Sequence, residues 1–141
     1  KVENNKYKVA HESEISLLKG VIKTYVSGKE KIINRMASFL DPVIADCRLL
    51  NRSVMVYGAG DHSVHLFTHF GLETYVCNYI DGDPKKWGTT FRGKLVLAPS
   101  AIESIVDSTI VISSHNYEDE ILKTISKHNV NSLAVISLYN K

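Results

Sequence analysis

Along the first fifty residues the apolar positions recur at helical intervals: Ile15, Leu18, Val21, Ile22 and Tyr25, then Ile32, Ile33, Met36, Phe39 and Leu40. Steps of three and four residues put side chains on one face of an α-helix, so the stretch from about His11 to Leu50 is expected to be helical. Two places inside it carry helix-start signals. Ser27-Gly28-Lys29-Glu30 has the spacing of a capping box, in which a hydroxyl and a carboxylate each satisfy an orphan backbone N–H. Asp41-Pro42 reads as a cap followed by a proline at the first helical position. Together they predict two or three helices, with breaks near Ser27 and Asp41.

After Asn51 the pattern changes to short β-branched runs alternating with amphipathic segments. Strands are expected at Ser53–Tyr57, Glu73–Ile80, Leu95–Leu97, Thr109–Ser113 and Leu133–Ser137, and helices at about His62–Phe70, Pro99–Val106 and Glu118–His128. Gly82–Gly93, with Asp83-Pro84, Gly88 and Gly93, reads as a polar, turn-rich loop. Strand–helix–strand repetition calls for a parallel sheet. The expected architecture is therefore α/β: a Rossmann-like parallel sheet over residues 51–141, with an N-terminal helical extension over residues 1–50.

Val54-Met55-Val56-Tyr57-Gly58-Ala59-Gly60-Asp61-His62-Ser63 places a GxGxxS turn between a strand and a helix. In such a turn Gly58 permits the tight bend, Gly60 lets a pyrophosphate approach the backbone, and the helix N-terminus offers N–H groups to anionic oxygens. Ser63 stands where a third glycine or alanine would allow close helix–strand packing, which weakens the fingerprint. Asp81 follows about 20 residues on, at the expected end of the second strand, where a carboxylate can accept ribose hydroxyls. The same residue also fits an ordinary turn, Asp81-Gly82-Asp83-Pro84, in which it caps its own loop. S-adenosylmethionine enzymes use a related turn, but Tyr57 occupies the place where they usually carry an acid. NAD(P) or a nucleotide-sugar is the favoured ligand class, and S-adenosylmethionine the less favoured one.

Several motifs in order resemble the Rossmann-like segments of bacterial surface-polysaccharide and sugar-nucleotide biosynthesis proteins. They are Val56-Tyr57-Gly58-Ala59-Gly60, the run from Tyr79 to Gly88, Phe91-Arg92-Gly93, Val111-Ile112-Ser113-Ser114 and Ser137-Leu138-Tyr139. The resemblance covers about residues 51–141. It implies a role in carbohydrate biosynthesis, beside a sugar methyltransferase, glycosyltransferase or acyltransferase domain, and it implies no reaction. Family members that are dehydratases or dehydrogenases carry a Tyr-x-x-x-Lys pair. In residues 51–141 the tyrosines Tyr57, Tyr75, Tyr79, Tyr117 and Tyr139 have no lysine four residues on, so hydride chemistry of that kind is not expected.

Other candidates are weaker. His62, His65 and His69 could share a helix face, but nothing supplies a carboxylate or thiolate to complete a metal site, so they read as surface histidines and no metal is expected. His62 differs in sitting at the helix start, where it could meet a ligand. Ser113-Ser114-His115-Asn116 follows an expected central strand, the usual side for ligands in α/β sheets, although Ser114 or Asn116 could equally cap the next helix. There is no GxSxG nucleophile elbow. Lys85-Lys86-Trp87, near Asp81 in sequence, could lie at the ligand rim, but the preferred reading is a solvated basic loop with Trp87 packed down as an anchor.

Composition narrows the picture further. A formal charge of +2, with bases and acids interspersed, lacks the basic stripe that nucleic-acid binding requires. Cys47 and Cys77 have no CxxC spacing and read as buried thiols in a reducing cytoplasm. No stretch approaches the roughly 20 apolar residues needed to span a bilayer. The start at Lys1 instead of Met points to a piece of a longer polypeptide.

The leading expectation is a nucleotide- or sugar-nucleotide-binding accessory domain that partners an adjoining catalytic domain and carries no catalytic residues of its own. Gly58, Ala59, Gly60 and Asp61 would meet phosphates, Asp81 a ribose, and His62, Ser113 and Ser114 other parts of the ligand. The rivals are an enzyme in its own right, either an NAD-dependent sugar-nucleotide oxidoreductase or a methyltransferase, and a structural module without ligand. The N-terminal helices could pair between chains in a homo-oligomer or pack on the sheet.

Overall fold

The structure, a computed structural model, describes residues 3–128 and 134–139, with side chains from residue 12 onward. It is a mixed α/β protein with a long N-terminal helix and a six-stranded, mostly parallel sheet. The chain divides into two compact units, Lys1–Ala37 and Ser38–Lys141.

The described residues of the first unit lie within α1 (Glu3–Leu50), a single uninterrupted helix of 48 residues. The breaks expected at Ser27 and Asp41 do not occur, and Pro42 lies inside the helix. A capping box and an Asp-Pro pair act only where the chain turns. Here the apolar spacing runs through Asp41, from Leu40 to Val43, Ile44 and Cys47, and resumes at Ile32 after the polar stretch around Ser27, and the helix continues through both places. Beyond Ala37 the same helix becomes part of the second unit, where Leu40, Val43, Ile44 and Cys47 are buried and the Arg48 guanidinium donates to the Tyr75 hydroxyl at 2.8 Å.

The sheet is built around β1 (Ser53–Tyr57), which runs parallel to β2 (Val76–Ile80) on one side and to β5 (Ser108–Ile112) on the other. β4 (Lys94–Leu97) extends the sheet past β2, and β6 (Ala134–Ser137) extends it past β5, both in parallel. The short β3 (Thr90–Phe91) closes the β4 edge antiparallel. Strand order is thus β3-β4-β2-β1-β5-β6, and the direction of winding reverses at β1. The central strands are covered on both faces, which is why β1 and β5 read as continuous apolar runs instead of alternating ones.

Period-two alternation sends Met55 and Tyr57 to one face, where they join Ile80, Ile102, Ile110, Ile112 and the α3 (Glu118–Lys127) residues Ile121 and Ile125 in one buried cluster. Against the opposite face packs α2 (Asp61–Phe70), whose Phe67 ring meets Tyr79 edge-on at 6.0 Å. Gly71 ends α2 in the left-handed conformation, its N–H bonded to the Phe67 carbonyl.

Strand and helix placement after Asn51 follows the sequence expectation, with differences at the margins. The segment Leu72–Tyr75 ahead of β2 is a 3-10 turn instead of strand, and Pro99–Ser104 is 3-10 as well. The Gly82–Gly93 loop contains a 3-10 turn at Pro84–Lys86 and the strand β3. Leu133, expected to start the last strand, lies outside the described residues. Neither Ser114 nor Asn116 caps α3, which begins after Tyr117 without a side-chain cap. Both cysteines are free; Cys47 is buried as expected, but Cys77 is only partly so.

Candidate functional site

Winding reversal opens a crevice beyond the carboxyl ends of β1, β2 and β5, because the connections leave β1 in opposite directions on its two sides. A cleft of about 670 Å³ occupies this position. It is lined on one side by the β1–α2 turn (Gly58, Ala59, Gly60, His62, Ser63), on another by Asp81–Asp83 and Lys86, and on the far side by Ser113, Ser114, Tyr117 just before α3, and the α3 residues Glu120, Ile121 and Thr124.

The two glycines of the turn differ in what they permit. Gly58 has φ +114°, and a Cβ there would sit 2.7 Å from the Ser113 hydroxyl oxygen. Glycine is therefore required by the fold itself at this point. Gly60 has an extended backbone, φ −161°, that any residue could adopt, and a Cβ there would meet nothing within 4 Å. Its lack of a side chain only keeps space free.

Ser63 is wholly buried, and its hydroxyl donates to the Gly58 carbonyl and shares a 2.7 Å bond with the Ser113 hydroxyl. Ser113 in turn reaches the carbonyls of Tyr57 and Gly58, both at 3.1 Å. A serine in place of the third small residue thus ties the start of α2 to the ends of β1 and β5 through hydrogen bonds that glycine or alanine cannot make.

Asp81, 9% exposed, stands at the tip of β2 with both oxygens engaged. One accepts the Asp83 N–H at 2.9 Å, closing the turn. The other accepts the Ala59 N–H and pairs with the Lys86 ammonium, each at 2.9 Å, while Lys86 also donates to the Ala59 carbonyl. The Trp87 indole N–H binds the Asp81 carbonyl at 2.7 Å. Burial pushes the Asp81 pKa up, but the Asp83 amide, the Lys86 ammonium and the Ala59 amide outweigh it and hold the carboxyl below the usual aspartate range. Burial also raises the Tyr57 hydroxyl, with the negative charges of Asp81 and Glu120 adding to it.

Of the residues singled out in the sequence, Gly58, Ala59, Gly60, His62, Asp81, Ser113 and Ser114 are brought together around the cleft. Asp61 is exposed in the first turn of α2 and does not line it. The Ala59 N–H is engaged by the Asp81 carboxylate at 2.9 Å and the Gly58 N–H by the Ile80 carbonyl at 2.7 Å, so neither of these two expected phosphate donors is open to a ligand. Lys86, for which the sequence reading preferred a solvated loop over the ligand rim, lines the cleft and pairs with Asp81; Trp87, at 41% exposure, is anchored through its N–H more than by packing. Sequence reading missed the wall of Tyr117, Glu120 and Thr124, for which helical spacing on the polar side of α3 was the available signal. The chain does contain one Tyr-x-x-x-Lys spacing, Tyr25 to Lys29, in the middle of α1; neither cleft tyrosine, Tyr57 or Tyr117, has a lysine four residues on. Among the described residues no His, Cys, Asp and Glu cluster could hold a metal ion, and no helix is long and apolar enough to cross a membrane.

Fold and cleft together define an α/β sheet domain with a crevice at its strand-order reversal. Residues 50–136 match the family described as C2185-like, N-terminal, and the chain belongs to that family. No curated protein matches it. Among solved structures, a UDP-D-quinovosamine 4-dehydrogenase from Vibrio fischeri is 24% identical, with a TM-score of 0.47 over 61% of this chain and 78% of that one. RSP, a Rex-family repressor, is 13% identical, with a TM-score of 0.41 over 63% of this chain and 55% of that one. At these scores neither likeness decides the ligand or the reaction.

Proposed function

We propose that residues 51–141 are a Rossmann-like domain that binds a nucleotide or sugar nucleotide through its diphosphate, in the service of an adjoining sugar-modifying catalytic domain. The observation that carries this reading is the open approach to Gly60 at the mouth of the cleft, directly before the first turn of α2. Helix starts have backbone N–H groups without intrahelical partners and favour anions. Lys86 adds a cation on the same rim, and His62 a further donor. The diphosphate would lie along Gly60 and His62, with the sugar or nicotinamide end toward Ser113, Ser114 and Tyr117. Asp81 would contribute by holding Lys86 and the turn in place, and would meet a ribose through the one lone pair left on its Asp83-bonded oxygen.

Calorimetric titration with a UDP-sugar, NAD and S-adenosylmethionine tests this directly. Heat with a diphosphate ligand, lost in Gly60→Ala because the added methyl stands where the phosphate must approach, supports the reading. Heat with S-adenosylmethionine alone, or turnover by the isolated chain, would replace it with an enzyme reading.

One observation favours a second reading, a structural module without ligand. Asp81, Lys86 and the Ala59 peptide satisfy one another across the turn, so this part of the rim needs no ligand to complete it. Silence with all three ligands is the outcome that reading expects.

A further inference from the structure

The part of α1 before Ala37 leaves its large apolar side chains uncovered: Leu18 is 61% exposed and Tyr25 70%, with Val21, Ile22, Val26 and Ile32 exposed as well. Helix propensity does not explain why this segment is helical. Gly20 and Gly28 lie in its interior, and β-branched Val21, Ile22, Thr24 and Val26 cluster between them. Helices in proteins owe most of their stability to packing of an apolar face, and here, among the described residues, that face is exposed.

We propose that residues 15–36 form a parallel, in-register, two-stranded coiled coil with a second copy of this chain. The positions Ile15, Leu18, Ile22, Tyr25, Lys29, Ile32 and Met36 follow strict steps of three and four residues, the a and d positions of a heptad repeat. A straight helix drifts about 20° per heptad against such a repeat, so a seam kept this strictly is the signature of left-handed supercoiling. Ile15 and Ile22 at a with Leu18 at d are the choices that favour two strands, and Lys29, one basic residue at an a position, fixes register and strand number at a cost in stability. Charge selects the direction. Glu14 occupies a g position and Lys19 the following e position, so in a parallel pair each Glu14 faces Lys19 of the other copy. Val21 and Val26, at g and e, widen the apolar seam beside it.

Sedimentation equilibrium of the 141-residue chain is expected to give a dimer. The double variant Ile22→Glu/Ile32→Glu should halve the mass and reduce helical ellipticity, while Trp87 fluorescence, a readout of the sheet unit, stays native. Leu18→Cys, at a d position, should form a disulfide-linked dimer in air to an extent the parent chain, with Cys47 and Cys77 alone, does not. A monomeric parent chain, a trimer or tetramer, or a dimer in which Leu18→Cys fails to cross-link would each overturn the proposal.

Discussion

In the helix up to Ala37, Leu17, Leu18, Val21, Ile22 and Tyr25 stand exposed, whereas in the second unit Val54, Val56, Ile80, Ile110 and Ile112 are shut away from solvent. The residue types are the same. What differs is the element that carries them: a parallel sheet has two faces, and α2 and α3 supply a cover for each, so every inward side chain finds partners from this chain. A lone helix has a single apolar stripe and no second layer, so its stripe has to find a partner elsewhere. Apolar content alone therefore does not report stability, and truncation of an apolar side chain should cost far more in the sheet unit than at an exposed position of the helix.

The largest effect is expected in the core of the sheet. Ile110→Ala, in the strand next to β1, removes a fully buried side chain and should cost about 2–5 kcal/mol in chemical denaturation followed by Trp87 fluorescence. Leu17→Ala, 70% exposed on α1 and outside the a and d positions, should stay within about 0.5 kcal/mol of the parent chain. Equal losses at the two sites would erase the distinction between the units.

A smaller but sharper contrast lies between the two glycines of the β1–α2 turn. Gly58→Ala forces a side chain into a left-handed φ and against the Ser113 hydroxyl, and should cost on the order of 1–3 kcal/mol. Gly60→Ala enters open space with an extended backbone, so its stability should change by less than about 1 kcal/mol. Thermal melts of both variants check this: a Gly60→Ala loss as large as that of Gly58→Ala would mean that Gly60 serves the fold and not a ligand.

The strands were legible in the sequence because β1 and β5 are short, β-branched and wholly buried, so that composition and length both point the same way. The cleft was legible as far as local chain signals reach: the glycine turn and the acid at the end of β2 are each written in a few adjacent residues. Two things were not. Lys86 acts through a bridge to Asp81 and Ala59, and its part depends on the Pro84–Lys86 turn folding the loop back, which no periodicity announces. The continuity of α1 was hidden by Ser27 and Asp41, whose local preference for a helix start does not interrupt the 48-residue helix. At Lys86 a contact to Ala59, distant in sequence, decided between two locally reasonable structures.

Asp81 gives the finest test of whether the sheet unit holds its site closed without a ligand. Its carboxyl is held below the usual aspartate range in the folded chain, so the stability it contributes is fully present above the unfolded value of about 3.9 and is lost as pH falls through the lower folded value. Glu73, paired with Arg92, is also lowered and contributes to the same acid slope, so substitution of Asp81 should flatten the slope without abolishing it. Asp81→Asn cannot carry the charge that Lys86 faces, and it should be less stable than the parent chain at neutral pH. Once Asp81 is protonated in both states it resembles asparagine, so the two denaturation curves should converge as the solution becomes strongly acidic. A gap that stays constant with pH would show that the hydrogen-bond geometry at this corner matters and its charge does not, and the pairing of Asp81 with Lys86 would then lose its claim to hold the turn.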